Sequence, residues 1–281
     1  MRRLVHMLLL SFAMSLVLLG CTPIAAPAQK APQAGGATST DKITLNVFAA
    51  ASLTNAFGEI GENFSAAHAS TEVVFNFAGS NQLATQIAEG APADLFASAN
   101  GTQMKVAIES GRIISNTQQT FVRNRLVVIT PSDNPAGLTG LPDLATPGLK
   151  LVFAASEVPV GQYSLDFLDK AEADGSLGAG YKAAVMANVV SYEENVRVVL
   201  AKVSLGEADA GIVYTSDVAA NATGAVAQIE IPDKLNTVAS YPIAPLNDSP
   251  NLALAQQFMD YVLSPTGQQV LTQYGFISIN N

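Results

Sequence analysis

The stretch from Ile43 to Phe64 limits the fold more than any other part of the chain. Ile43-Thr44-Leu45-Asn46-Val47-Phe48 alternates apolar and polar side chains, the period of a half-buried β-strand. Leu53, Phe57, Ile60 and Phe64 then recur at helical spacing, on one face of an amphipathic helix. Between them lie three alanines, Ala49 to Ala51, and Ser52, a hydroxyl at the point where strand gives way to helix. A helix start exposes N–H groups with no intrahelical partner and the positive end of the macrodipole, so it can hold an anion. A serine at such a point can also do no more than cap the helix.

The chain repeats this handover. Glu72-Val73-Val74-Phe75-Asn76-Phe77 reads as a second strand and runs into Ala78-Gly79-Ser80, after which Leu83 and Ile87 mark a short helix. Gly79 permits close backbone approach at the switch. A third short strand is expected within Ala91 to Ala99, and Asn100 is placed to cap the helix that carries Met104 and Ile108. Asp94 has no histidine or second carboxylate near it in sequence, so it reads as a strand-end or capping group.

The pattern restarts at Arg125. Arg125-Leu126-Val127-Val128-Ile129-Thr130 is a continuous apolar strand, suited to a sheet covered on both faces. Leu151-Val152-Phe153-Ala154 leads to Pro159, which favours the first turn of a helix, so the N–H groups of Val160 and Gly161 are candidate open donors. Strands at Asn188–Ser191 and Ala210–Tyr214 follow, with a helix carrying Val196, Val199, Leu200 and Val203 between them. At the start of that helix Glu193 and Glu194 are expected to point into solvent and complement the dipole. A last strand at Tyr241–Ala244 precedes two helices parted by Pro265. Strands alternating with helices throughout imply parallel α/β sheets.

The first forty residues stand apart. Arg2 and Arg3 precede an apolar run from Leu4 to Leu19, too short to span a bilayer comfortably, which reads as an export signal over residues 1–20. Leu18-Leu19-Gly20-Cys21 resembles the bacterial lipobox, which implies export, lipidation of Cys21 and a membrane anchor on the periplasmic or the extracellular face of the cell envelope. Cys21 is the only cysteine, so there is neither a disulfide framework nor a cysteine-based metal site. The rest of residues 21–40 is rich in Pro, Ala, Gly, Gln and Thr and reads as a flexible tether. About 240 residues remain, enough for one large domain or two lobes. The formal net charge of −9 with no basic run argues against nucleic acid as a partner.

Five segments carry a family resemblance: Phe48 to Ala56, Gly90 to Phe96, Val158-Pro159-Val160-Gly161, Glu194-Asn195-Val196-Arg197, and Gly211 to Asp217. In this order, from about Ile43 to Phe276, the chain resembles the periplasmic molybdate-binding proteins of ABC transporters. The resemblance implies a type II periplasmic binding protein, an α/β fold of two lobes. Each lobe would be a mostly parallel sheet flanked by helices, with the ligand in the cleft between them. It puts lobe one at 41–121 and 229–281 and lobe two at 122–228. It implies that Ser52 and Ser80 grip an oxyanion through their hydroxyls, Val160 and Val196 through backbone N–H groups, and Tyr214 through its phenol. The metal would thus be held as molybdate or tungstate with no direct metal ligand, no cofactor is implied, and the partner is the permease of a molybdate importer. A monomer is expected. Val158 stands where relatives that complete an octahedral centre carry an acid, so a four-oxygen tetrahedral ligand is expected.

Two readings compete. One is a receptor for another oxyanion, such as sulfate or thiosulfate. The other is a serine hydrolase, which needs a base beside the hydroxyl. After the signal the chain has a single histidine, His68, and no Gly-x-Ser-x-Gly elbow.

Overall fold

The computed structural model describes residues 42–221 and 224–279 of the 281. The export signal, Cys21 and the tether lie outside the described residues. In chain order the elements are β1 (Ile43–Ala50), a 3-10 turn (Ala51–Leu53), α1 (Thr54–Ala67), β2 (Thr71–Ala78), α2 (Ser80–Ala88), β3 (Leu95–Ala97) and α3 (Gly101–Glu109). Then come β4 (Gln119–Asn124), β5 (Leu126–Pro131), a 3-10 turn (Leu141–Ala145), β6 (Leu151–Ala154), α4 (Pro159–Asp174), α5 (Tyr181–Ala187), β7 (Val189–Glu193) and α6 (Val196–Ser204). The chain ends with β8 (Ala210–Tyr214), α7 (Thr215–Ala219), β9 (Val226–Glu230), β10 (Ala239–Pro245), α8 (Leu252–Leu263), α9 (Pro265–Gln273) and β11 (Ile277–Ser278).

These strands form two sheets, one six-stranded in the order β11-β4-β10-β3-β1-β2, the other five-stranded in the order β7-β6-β8-β5-β9. The chain crosses from the first sheet to the second at Arg125, between β4 and β5, and returns between β9 and β10. The period-two pattern of β1 sorts its side chains onto two cores. Leu45, Val47 and Ala49 join Phe57, Ile60, Phe64 and Phe258 in the larger core. Phe48 joins Leu83, Ile87, Phe96 and Met104 in the smaller one. Phe57 centres the aromatic packing, its ring 5.7 Å from Phe121 and 6.1 Å from Phe258. Each such buried side chain contributes roughly 1.5–3 kcal/mol. This packing holds β1 and α1 in register, and so places the turn between them.

Both sheets are mixed, where mostly parallel ones were expected. β1 runs parallel to β2 and β3, but β10 is antiparallel to β3 and β4. β5 is antiparallel to both of its neighbours, β8 and β9. Its unbroken apolar run reflects burial on both faces, because α4 and α6 pack against it. The run rightly reads as burial on both faces, but the inference from strands alternating with helices to parallel sheets fails for β5 and β10.

The start of α4 depends on Gly161. A Cβ there would meet the carbonyl oxygens of Ala155 and Ala154 at 2.0 and 2.5 Å. Backbone oxygens cannot give way as the end of a flexible side chain can. Gly161→Ala should therefore lower stability by about 3 kcal/mol, the upper end of the usual over-packing cost. Urea unfolding followed by circular dichroism measures this, and a midpoint equal to that of the unsubstituted protein would show that the helix start shifts freely.

Candidate functional site

The ends of β1 and β2, the starts of α4 and α6 and the end of β8 meet around one small cavity. All five residues singled out in the sequence, Ser52, Ser80, Val160, Val196 and Tyr214, line it. They are 1–4 % exposed. Among the described residues that line the cavity, none carries a charged side chain.

Ser52 sits in the 3-10 turn between β1 and α1, and its side chain caps neither element. Its Oγ lies 2.9 Å from the Oη of Tyr241. The capping reading of Ser52 therefore fails, and the hydroxyl is free for another task. Ser80 is the first residue of α2, and its Oγ accepts the N–H of Ala99 at 3.0 Å. With an acceptor site used in this way, the Ser80 proton remains for the cavity side. The Tyr214 Oη is fully buried and makes no hydrogen bond of ordinary length among the described residues, with the Tyr241 hydroxyl its nearby polar neighbour. Loss of hydration pushes its pKa well above the ordinary 10.0, and the nearby Tyr241, Tyr163 and Asp217 push it further. It stays a protonated donor. Leaving a buried hydroxyl unpartnered costs about 1–3 kcal/mol, so this atom marks where an acceptor belongs.

The backbone donors come from two helix starts. Val158 is extended and Pro159 opens α4, which leaves the amide of Val160 in the first turn, outside the intrahelical ladder. At α6 the side chain of Asn195 accepts the N–H groups of Arg197 and Val198 at 2.9 and 3.2 Å. The amide of Val196, the first helical residue, is not taken by this cap. Two short helix starts and three hydroxyls therefore present donors to one volume. That is the inventory for an anion bearing several acceptor oxygens.

Polar contacts join the two sides of the cavity. Gln82 donates to Glu194 at 3.3 Å, Asn100 to Gln162 at 3.2 Å, and Gln103 to the carbonyl of Glu157 at 3.1 Å. Gly79 lies so close to the facing chain that a Cβ would meet the Glu194 carbonyl oxygen at 2.6 Å. Two expectations need correction or narrowing. Glu193 does not point into solvent: it is buried, 2.6 Å from Lys202 Nζ, and accepts the Ser191 hydroxyl. The alternation of β7 turns it inward, whereas Glu194 is exposed. Asp94 is structural, accepting the Asn46 N–H at 2.7 Å and the Ser249 hydroxyl at 2.5 Å.

Among the described residues, the hydrolase reading finds no base beside either serine. Ser52 faces a phenol and Ser80 an amide, while His68 stacks on Phe64 with its Nδ1 2.9 Å from the Phe64 carbonyl oxygen. Sequence reasoning did miss Tyr241 and Asn124 behind Ser52, and the ion pair Arg197–Asp217 beside it. Arg197 Nε stands 3.0 Å from Asp217 Oδ1, and its Nη2 donates to the Ser52 carbonyl at 3.5 Å. Asp217 also accepts the Tyr214 N–H at 3.2 Å, which holds the tyrosine at the end of β8. No local signal pairs Arg197 with Asp217. The segments that contain them could only be nominated separately.

Burial pushes the Asp217 carboxyl up to about 6, against the opposing pull of Arg197 and of the Tyr214 amide. A carboxyl raised in the folded state stabilises the fold below its ordinary pKa, and that contribution is lost as pH rises to the raised value. The stability difference between Asp217→Asn and the unsubstituted protein should therefore grow from pH 4 to about 6 and be flat above. The full change is roughly 3 kcal/mol. Urea titrations across this range read it, and a difference that does not move with pH would show that Asp217 ionises normally.

Comparison with known proteins places this geometry. Residues 45–277 match the family model described as bacterial extracellular solute-binding protein. The molybdate-binding protein of Mycobacterium tuberculosis is 38 % identical over 233 residues, covering 83 % of this chain and 84 % of that protein. That of Escherichia coli is 35 % identical over 247 residues, covering 86 % and 91 %. Among solved structures, the substrate-binding domain assigned to a molybdenum ABC transporter of Clostridium difficile is 31 % identical. It superposes with a TM-score of 0.63 over 84 % of this chain and 99 % of that one. The sulfate-binding protein of Mycobacterium tuberculosis reaches a TM-score of 0.74 at 17 % identity over 84 % and 87 %, a likeness of fold alone. The chain belongs to the bacterial extracellular solute-binding protein family, and these relatives within it are molybdate-binding proteins.

Proposed function

We propose that this protein is the substrate-binding component of an ABC importer, taking up molybdate, and tungstate with it, for delivery to a membrane permease. The observation that carries the reading is the donor set around one buried cavity. It comprises the hydroxyls of Ser52, Ser80 and Tyr214 and the amides of Val160 and Val196, with no charged side chain among the described residues lining it. Helix dipoles and dipolar hydrogen bonds hold a buried dianion without a formal counter-charge. Each sheet with its helices acts as one lobe, and Cys21 carries the lipid that keeps the domain at the membrane on its 21–40 tether. Donors divided between the two sheets are all satisfied only with the cleft shut, so the ligand selects the closed state.

The donor set also orders the candidate ligands. A protonated phosphate would bury an O–H facing donors, at a cost of about 1–3 kcal/mol. Sulfate is fully ionised and tetrahedral, so only size separates it from molybdate: a smaller anion in a closed cage has stretched hydrogen bonds, which weaken quickly. Calorimetric titration should give nearly equal affinities for molybdate and tungstate, sulfate at least about a hundred-fold weaker, and phosphate weaker still. Sulfate binding as tightly as molybdate would move the assignment to a general oxyanion receptor. The absence of binding by any of them would end the reading.

A hydrogen bond to a charged partner is worth roughly 1.5–3 kcal/mol. Ser52→Ala, Ser80→Ala and Tyr214→Phe should therefore each raise the molybdate Kd about ten- to a hundred-fold, with the fold retained. Three variants that bind like the unsubstituted protein would remove these hydroxyls from the site.

A further inference from the structure

Behind Ser52 lies a chain of polar groups that no ligand touches. Tyr241, fully buried on β10, has its Oη 2.9 Å from Ser52 Oγ and 3.4 Å from Asn124 Nδ2. Asn124, also fully buried at the end of β4, has its amide orientation set by its other contacts. Its Oδ1 accepts the Arg125 N–H at 3.0 Å and the Thr215 hydroxyl at 3.1 Å. A backbone N–H can only donate, so the oxygen must face it, and the nitrogen faces Ser216 at 2.8 Å and Tyr241.

The direction of every proton follows. An amide nitrogen cannot accept, so Tyr241 accepts from Asn124 and must send its own proton elsewhere. Ser52 Oγ is its other hydrogen-bond partner, the neighbouring Tyr214 Oη lying beyond ordinary hydrogen-bond distance. If Ser52 instead donated to Tyr241, the phenol proton would be buried without an acceptor, at a cost of about 1–3 kcal/mol. Ser52 therefore accepts from Tyr241 and keeps its proton for the cavity. Ser80 reaches the same state by a shorter route, through the Ala99 N–H.

We propose that Tyr241 and Asn124 are positioning residues that bias Ser52 toward donating into the cavity, so that the cavity favours oxyanions carrying no proton. The inference deepens the function proposed above and rests on it. A free serine hydroxyl would turn to accept from a protonated anion as readily as it donates to a bare oxygen. Held from behind, it does so only by leaving a buried proton without an acceptor.

The test is a double-mutant cycle on the full mature chain, with molybdate as the probe and calorimetry as the readout. Tyr241→Phe keeps the ring and its packing and should raise the molybdate Kd about three- to ten-fold. Adding it to Ser52→Ala should change the Kd of that variant by no more than about two-fold, because the relay acts only through the serine. Phosphate should compete better with molybdate in Tyr241→Phe than in the unsubstituted protein. A structural role for Tyr241 would give the same loss on both backgrounds, and that result, or unchanged competition by phosphate, overturns the relay. A parallel cycle with Asn124→Ser carries the same expectations and decides the matter should the Tyr241 variant not fold. Failure of the unsubstituted protein to bind molybdate, sulfate or phosphate would overturn the function itself. Binding with independent, additive losses overturns the relay alone.

Discussion

A polar hydrogen taken out of water must find an acceptor, and around this cavity several are offered none by the protein. The Tyr214 hydroxyl is fully buried without a hydrogen bond of ordinary length, and the amides of Val160 and Val196 stand at helix starts where the ladder cannot reach them. Such groups call for a partner from outside the protein, whether water, an ion or a ligand. Much of the surrounding architecture keeps them together. Parallel β1 and β2 end side by side, so the starts of α1 and α2 are adjacent. Gly161 lets the first turn of α4 sit against the end of β6, and Gly79 lets the first sheet's side approach Glu194.

The electrostatics follow the same logic. A protein of net charge −9 does not attract anions from a distance, and among the described residues no cation lines the cavity to compensate. Arg197, one residue beyond the Val196 amide, is paired with buried Asp217, so the pair adds little net charge beside Ser52. What remains are oriented dipoles, fixed before the ligand arrives. A fixed dipole is also selective. On the proposal above, hydroxyls that already accept from Tyr241 and from the Ala99 amide favour a bare oxygen over a ligand that brings its own proton.

Much of this was legible in the chain because it is local. The apolar period of β1 and α1, the Asn100 side chain accepting the Gln103 N–H at the start of α3, and the opening of α4 at Pro159 each depend on residues within a few positions. The same holds for the break at Pro265, where Ser264 ends α8 and caps α9. The strand directions were not legible, since β5 looks the same to its neighbours whichever way they run. Glu193 was misjudged because the charge of a side chain says nothing of the lysine, Lys202, that lies on the next helix to meet it.

Taken by itself, the sequence determined which segments end in a hydroxyl or an open amide at a helix start, and its resemblance to a family nominated five of them. Only the tertiary structure decided that they share one cavity, and which atom stands behind each hydroxyl. Ser52 and Tyr241 are 189 residues apart and meet because β10 pairs between β3 and β4. Periodicity reaches a few residues along the chain. The direction of a proton depends on the atom behind its oxygen, and strand pairing across the sheet brings that atom there.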